Sequence, residues 1–226
     1  MKLLSYSTDA KTKKGEPRGY LTFVMYLAPS KESVPHGGRD VCPWASPGCA
    51  HACLYTAGRG AFASVQAARL RKTVQFFTNR SQFMADLYED IVAAEKIAKL
   101  RGMVPVFRLN GTSDLNWDRV VADHPHLQFY DYTKSRDRVV SNTLTNYHLT
   151  FSRSETNEAD ALQVLFAGGN VAVVFATASL PAMWKGYQVI SGDADDLRFL
   201  DPANVVVGLK AKGKARKDSS GFVVKT

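Results

Sequence analysis

Apolar positions fall into short runs along the chain, and the period within each run separates strands from helices. Seven runs rich in β-branched and aromatic residues predict strands: "YLTFVMYL" (20–27), "VPVFRL" (104–109), "LQFYDY" (127–132), "YHLTFS" (147–152), "VAVVFAT" (171–177), "YQVI" (187–190) and "VVVGL" (205–209). Several are almost continuously apolar, as in strands covered on both faces. Between them the period lengthens. In "AFASVQAARLRKTVQFF", Ala63, Ala67, Leu70, Val74 and Phe77 recur every three or four residues. They predict the apolar stripe of a helix, with Arg69, Arg71 and Lys72 on its other faces. Residues 81–101 predict a second helix with Phe83, Leu87, Ile91, Ala94 and Ala98 inward. "EADALQVLFAGG" predicts a third, stopped by Gly168 and Gly169 as a C-cap. The stretches between strands three and four, and between five and six, are shorter and read as irregular.

Strands alternating with helices predict an α/β fold with a parallel sheet and right-handed crossovers. Two architectures accommodate seven such strands: an open doubly wound sheet, or a compact or partial (β/α) TIM-like barrel. No G-x-G-x-x-G follows the first strand, which favours the barrel. No repeat or low-complexity linker interrupts the pattern. The expectation is a single barrel domain over residues 1–226 with basic N- and C-terminal extensions. In either architecture functional residues gather at the carboxyl ends of the strands.

Every cysteine of the chain lies in "VCPWASPGCAHACLYTAGRG" (41–60), just after the first predicted strand: Cys42, Cys49 and Cys53, spaced C-x6-C-x3-C. A structural disulfide fits poorly, because three is odd and a reducing compartment is expected. Buried inert thiols would scatter, whereas Pro43, Pro47, Gly48 and Gly58 mark this stretch as a loop. Zinc would need a fourth ligand such as His51 or His36. If "CAHAC" is helical, Cys49 and Cys53 share a face and His51 points away. Zinc stays open beside a fourth reading, a [4Fe–4S] cluster: three thiolates would hold three irons and leave the fourth iron open.

Composition adds a bias in partner. The 226 residues carry a formal charge of +8, with 45% hydrophobic and 22% charged residues. That balance favours polyanions such as nucleic acid, nucleotides or phosphorylated substrates. Much of the excess sits in "KTKKGEPR" and "KAKGKARK", which equally read as solvated tails. No apolar run approaches the roughly 20 residues needed to span a bilayer. The first residues are too briefly apolar for a secretory signal, so no membrane association and a cytoplasmic location are expected.

Four stretches, "CPWASPGCAHACLYTAGRG", "VQAARLRKT", "VFRLNGTSDLNW" and "FYDYTKS", carry a resemblance. In order and spacing over about residues 20 to 135, the chain resembles the phage gene product 88 family and closely related phage proteins. That family's pattern is similar to radical S-adenosylmethionine enzymes, which place a three-cysteine loop after the first strand of a β/α barrel. The spacing here is longer than their C-x3-C-x2-C, by three in the first gap and one in the second. The resemblance implies a [4Fe–4S] cofactor, S-adenosylmethionine as a further candidate cofactor, and the cytoplasm of an infected host as the setting.

Polar residues at the other strand ends complete the candidate site. After strand two, Asn110, Thr112, Ser113 and Asp114 offer donors, acceptors and a carboxylate around Gly111; the resemblance places the cofactor's amino group there, and the plain alternative is a turn with an N-cap. Lys134 after strand three and Ser152 with Arg153 after strand four suit a carboxylate or phosphate. Arg153 has a surface alternative in Glu155 or Glu158. Asp193, Asp195, Asp196 and Asp201 cluster after strand six and read as capping chemistry, with substrate contact as the alternative; Arg59 is placed to screen a negative cluster or to bind an anionic ligand. Lys210, Lys212 and Lys214 would share one face of a continuing strand, with no aromatic residue near them in sequence. Two functions follow. One is an iron–sulfur enzyme, radical S-adenosylmethionine-like or otherwise cluster-dependent, acting on a small-molecule or nucleotide substrate. The other is a binding protein, stabilised by zinc or a cluster, that grips nucleic acid or a host protein.

Overall fold

The computed structural model describes residues 1–225, apart from the side chain of Thr56. Elements follow in the order β1 (Leu4–Tyr6), β2 (Tyr20–Met25), α1 (Pro47–His51), α2 (Ala63–Thr78), α3 (Arg80–Leu100), β3 (Val104–Arg108), α4 (Asp118–Ala122), β4 (Gln128–Thr133) and α5 (Arg136–Val140). Then come β5 (Tyr147–Ser152), α6 (Glu158–Phe166), β6 (Val171–Phe175), β7 (Met183–Trp184), β8 (Tyr187–Ser191) and β9 (Val206–Lys210). One nine-stranded sheet has the order β1-β2-β3-β4-β5-β6-β9-β8-β7. The ladders from β2 through β6, β9 and β8 are all parallel. Antiparallel partners finish both ends, β1 on β2 and β7 on β8. No ladder joins the two ends among the described residues, so the sheet is open.

All seven expected strands form, and two short edge strands, β1 and β7, join them. The order steps regularly from β2 to β6, then β9 inserts between β6 and β8. Side chains of alternate residues take opposite faces. Phe23, Phe107, Phe129, Tyr147 and Leu149 pack with Phe83, Leu87 and Ile91 of α3 and with Trp117. Farther along, Phe151, Val171 and Val173 meet Ala161, Val164 and Leu165 of α6. That helix ends in paired backbone bonds, Gly169 N–H to Val164 O and Gly168 N–H to Leu165 O. Gly168 has φ +89°, a left-handed position where glycine escapes the Cβ penalty.

The opposite face is polar. Val106, Tyr130 and Leu197 form a small apolar cluster there, but Arg108, Tyr132, His148 and Thr150 surround it by strand alternation. Two segments cover this face. A 3-10 turn at Thr12–Arg18 brings Lys11 to Asp196 (2.9 Å) and Arg18 to Asp195 (2.5 Å). The loop after β8 supplies those carboxylates. The N-terminal basic stretch is therefore not a solvated tail; Lys11 and Arg18 neutralise acids about 180 residues away, and Lys14 donates to the Asp193 carbonyl. The C-terminal basic stretch also folds, into a 3-10 turn at Gly213–Lys217.

Candidate functional site

Between β2 and α2 the chain makes a long excursion at the carboxyl end of the parallel strands, and the three cysteines lie on it. Cys42 is half-buried; its Sγ accepts from the Ser30 N–H at 3.3 Å and donates to the Thr112 carbonyl at 3.7 Å. Its neighbour Val41 accepts from the Asp114 N–H, so the cysteine segment is stitched to the loop after β3. Cys49 lies in α1, whose Ser46 cap accepts from the Cys49 N–H at 3.2 Å with Pro47 at the first helical position. Glu155 fixes the same end, accepting from the Gly48 N–H (2.7 Å) and the Ser46 hydroxyl (2.8 Å). Cys53 follows immediately and opens the next 3-10 turn. The helix ends at His51, so Cys49 and Cys53 do not share a helical face; His51 and His36 are both exposed.

No disulfide joins the thiols. Burial pushes Cys42 up to about 12, opposed by the Ser30 N–H and reinforced by the like charges of Cys53 and Cys49. Burial also raises Cys53, against the pull of the Tyr55 N–H, with Cys49 raising it further and Arg69 and Lys134 lowering it. The three sulfurs are thus within one another's electrostatic reach. They are not drawn together around a point: among the described residues no three His, Cys, Asp or Glu side chains could hold one metal ion. A single zinc would bring thiolates to about 3.8 Å from one another.

Two cations flank Cys53. Arg69 lies over the rings of Tyr26 (4.7 Å) and Tyr55 (5.6 Å), and its buried Nε and Nη1 have no hydrogen-bond partner among the described residues. The hydrophobic stripe placed Arg69 away from the core. The buried positions of α2 are instead Thr73 and Phe76, and Arg69 shares their face at the i, i+4, i+7 spacing. Thr73 can be buried because its Oγ1 accepts from the Ala28 N–H and donates to the Arg69 carbonyl. The second cation, Lys134, donates to the Ser152 hydroxyl at 3.0 Å. Those two expected residues therefore meet.

Asn110, Ser113 and Asp114 are also brought together. The Asn110 Oδ1 accepts from the Ser113 hydroxyl, the Leu115 N–H and the Trp117 indole, and its Nδ2 donates to the Leu115 carbonyl and Asp131. That side chain holds its own loop. Asp114 accepts from the Lys134 N–H (2.8 Å) and Arg138 (3.1 Å), which fixes the backbone that carries Lys134. Gly111 is pressed against the preceding strand: a Cβ there would stand 2.6 Å from the Tyr26 ring and 2.7 Å from the Met25 carbonyl. Gly111→Ala should destabilise the protein by about 1–3 kcal/mol, read as a lower urea midpoint with an unchanged slope.

Arg153 does not reach toward the cysteines. It is buried and donates to the carbonyls of Gly221 and Phe222 and to Glu158 (2.8 Å), clamping a C-terminal strap. The strap pairs Val224 with Phe175 and packs Phe222 and Val223 against Ala52, Ala215 and Cys49. Asp193, Asp195, Asp196 and Asp201 are all ion-paired, to Lys212, Arg18 and Arg198, Lys11 and Arg108, and Arg198 respectively. Arg59 donates to the Thr8 carbonyl. The last strand stops at Lys210, so Lys210, Lys212 and Lys214 do not form one stripe; the Lys210 ammonium donates to Ala178 O.

Fold and site together define a mixed α/β protein with a three-cysteine segment at the carboxyl end of a largely parallel sheet. The chain belongs to the gene product 88 family, a family of phage gene products, whose model matches residues 2–226. No curated protein and no solved structure matches it. Among the described residues no helix is long and apolar enough to cross a membrane.

Proposed function

We propose that this protein is an iron–sulfur enzyme of radical S-adenosylmethionine-like design, in which Cys42, Cys49 and Cys53 hold a [4Fe–4S] cluster at the end of a partial β/α barrel. The observation that carries this reading is that all three thiols, none in a disulfide, lie on one excursion at the carboxyl end of the parallel strands. Thiolates are the usual ligands of such a cube, one to each iron. The charge balance supports the same reading. Thiolates on a cluster bring net negative charge, and Arg69, two of whose buried nitrogens have no partner among the described residues, acts on Cys53 together with Lys134. The consecutive order of parallel strands from β2 to β6, with helices packed on one face, supports a partial barrel, although the sheet is not closed.

When bound, such a cluster supplies an electron or a Lewis-acidic iron at its open corner. The chain's own residues then have definite tasks. Lys134 and Ser152 bind a carboxylate or phosphate of a small-molecule or nucleotide ligand. Asp114 orients Lys134 through its backbone, Asn110 and Ser113 hold the loop that carries Asp114, and Arg153 keeps the strap over Cys49. S-adenosylmethionine is the candidate second cofactor, and the cytoplasm of the infected host is the setting.

Iron and sulfide analysis of anaerobically reconstituted protein should find about four of each per chain. Replacing any one cysteine by serine should abolish most of both. The reduced protein's paramagnetic resonance signal should change when S-adenosylmethionine is added. Stoichiometric zinc in colourless protein, or iron content indifferent to all three substitutions, would sink the reading.

A further inference from the structure

We propose that the rim around the cysteine segment binds single-stranded nucleic acid, with bases stacked on Trp44 and Phe62 and phosphates held by Arg59, Lys214, Arg216 and Lys217. The proposal takes its working end from the function proposed above but does not require the cluster. Trp44 is 55% exposed, Leu54 57% and Phe62 58%, and all three lie within a 19-residue stretch of the excursion. Large apolar side chains that one segment leaves in water point to a contact surface.

The fold brings to this surface a basic segment that lies some 150 residues away in the chain. In the Gly213–Lys217 turn, Ala215 is buried in one cluster with Ala52 and Cys49. A Cβ on Gly213 would stand 3.1 Å from the Ala57 Cβ, two residues before Arg59. Lys214, Arg216 and Lys217 are therefore held beside the excursion, all exposed. In sequence they have no aromatic neighbour, but their turn packs on the same excursion that carries Trp44 and Phe62.

Charge selects the occupant. Among the described residues none of Arg59, Lys214, Arg216 and Lys217 is in an ion pair, whereas Lys11, Arg18, Arg108 and Arg198 on the polar sheet face all are. Arg59 and Arg216 donate, among the described residues, only to the Thr8 and Ala211 carbonyls. Cations outside ion pairs, and exposed aromatic rings on a segment packed against theirs, are the two components of a single-strand platform. An acidic peptide would use the cations and leave the rings idle. A duplex hides its bases from stacking. An unpaired strand satisfies both, and its bases would then lie within reach of the recessed Lys134 and Ser152.

Fluorescence anisotropy with the full chain and a labelled oligothymidylate of ~12 nucleotides tests this. Binding at about 50 mM salt should weaken steeply as salt rises. Trp44→Ala or Phe62→Ala should weaken it between about five-fold and about a hundred-fold. Changing Lys214, Arg216 and Lys217 together to glutamine should flatten the log–log salt slope by about 2. Iron measured on the same preparations separates the two proposals. Protein without iron that still binds the strand supports this inference and overturns the cluster. Iron-bearing protein that does not bind overturns this inference alone. So would equal competition by duplex DNA or polyglutamate, or wild-type affinity in both aromatic variants.

Discussion

Asp196→Ala should cost about 3–5 kcal/mol of stability, the largest loss expected of any single surface-distant substitution here. Asp196 is 1% exposed. It takes Lys11 at 2.9 Å, Arg108 at 3.0 Å and the Tyr130 hydroxyl at 3.0 Å. Burial alone would raise its pKa, but Lys11 and Arg108 outweigh burial and hold it well below the carboxylate range. Removing it strands the Arg108 guanidinium, which lies 4.7 Å over the Tyr132 ring and has a buried Nε without a partner. The cost is that of the unpaired charge left behind, rather than the worth of the pair. Asp196→Asn should therefore be nearly as damaging, although its shape is kept. Arg108→Met combined with Asp196→Leu should recover much of the loss, because neither partner is then left charged. The pH dependence has a definite sign. A carboxyl with a depressed folded pKa contributes stability above its unfolded pKa and loses it as pH falls through the folded value. The gap between wild type and Asp196→Asn should hold at pH 7 and narrow below ~4. Chemical denaturation across that range measures it, and a gap independent of pH would mean Asp196 is not charged in the folded protein.

That network also marks the boundary of what the chain disclosed before folding. The strands and long helices were legible because burial imposes a period: all five stripe residues of α3 are buried. On α2 the same logic chose the wrong face. Thr73 goes inward by satisfying its hydroxyl on Ala28 and Arg69, and a polar residue paired to backbone is invisible to a hydrophobicity count. Arg69, the cation beside Cys53, was missed with it. The insertion of β9 between β6 and β8 depends on pairings with no local signature. The partners of Lys11 and Arg18 were hidden likewise, since opposite charges nearly 180 residues apart cannot be matched by inspection. For the site, three thiols in twelve positions announced themselves, and so did the polar strand ends. Which of those polar groups face one another was not readable. Lys134 and Ser152 meet; Arg153 turns to the strap.

Asp131→Asn should behave in the opposite way to Asp196→Asn, being neutral to stabilising at pH 8. Asp131 is on β4 and just as buried, at 1% exposure. Its carboxyl accepts from the Asn110 N–H (2.7 Å), the Asn110 side chain (3.3 Å) and the Tyr147 hydroxyl (2.8 Å). Among the described residues no cation pairs with it directly; Arg138 is taken by Asp114 and the Tyr147 hydroxyl. Burial therefore prevails and raises Asp131 to about 7, despite the lowering pull of Asn110, Arg108, Tyr147 and Arg138. A carboxyl whose folded pKa exceeds its unfolded value near 3.9 keeps an extra proton in the native state between those limits. Its contribution is complete at low pH and disappears as pH rises through about 7, a swing of roughly 3–4 kcal/mol. His148, pushed down to about 4 mainly by burial, works in reverse, losing stability as pH falls through that value. The histidine is common to both proteins, so the difference between wild type and Asp131→Asn isolates the carboxyl. That difference should move steadily in favour of the variant from pH 4 to pH 8. A flat difference, or a loss at pH 8 as large as that of Asp196→Asn, would mean that Arg138 sustains an ionised Asp131. The loop carrying Asn110 and Asp114 would then be anchored by charge rather than by a shared proton.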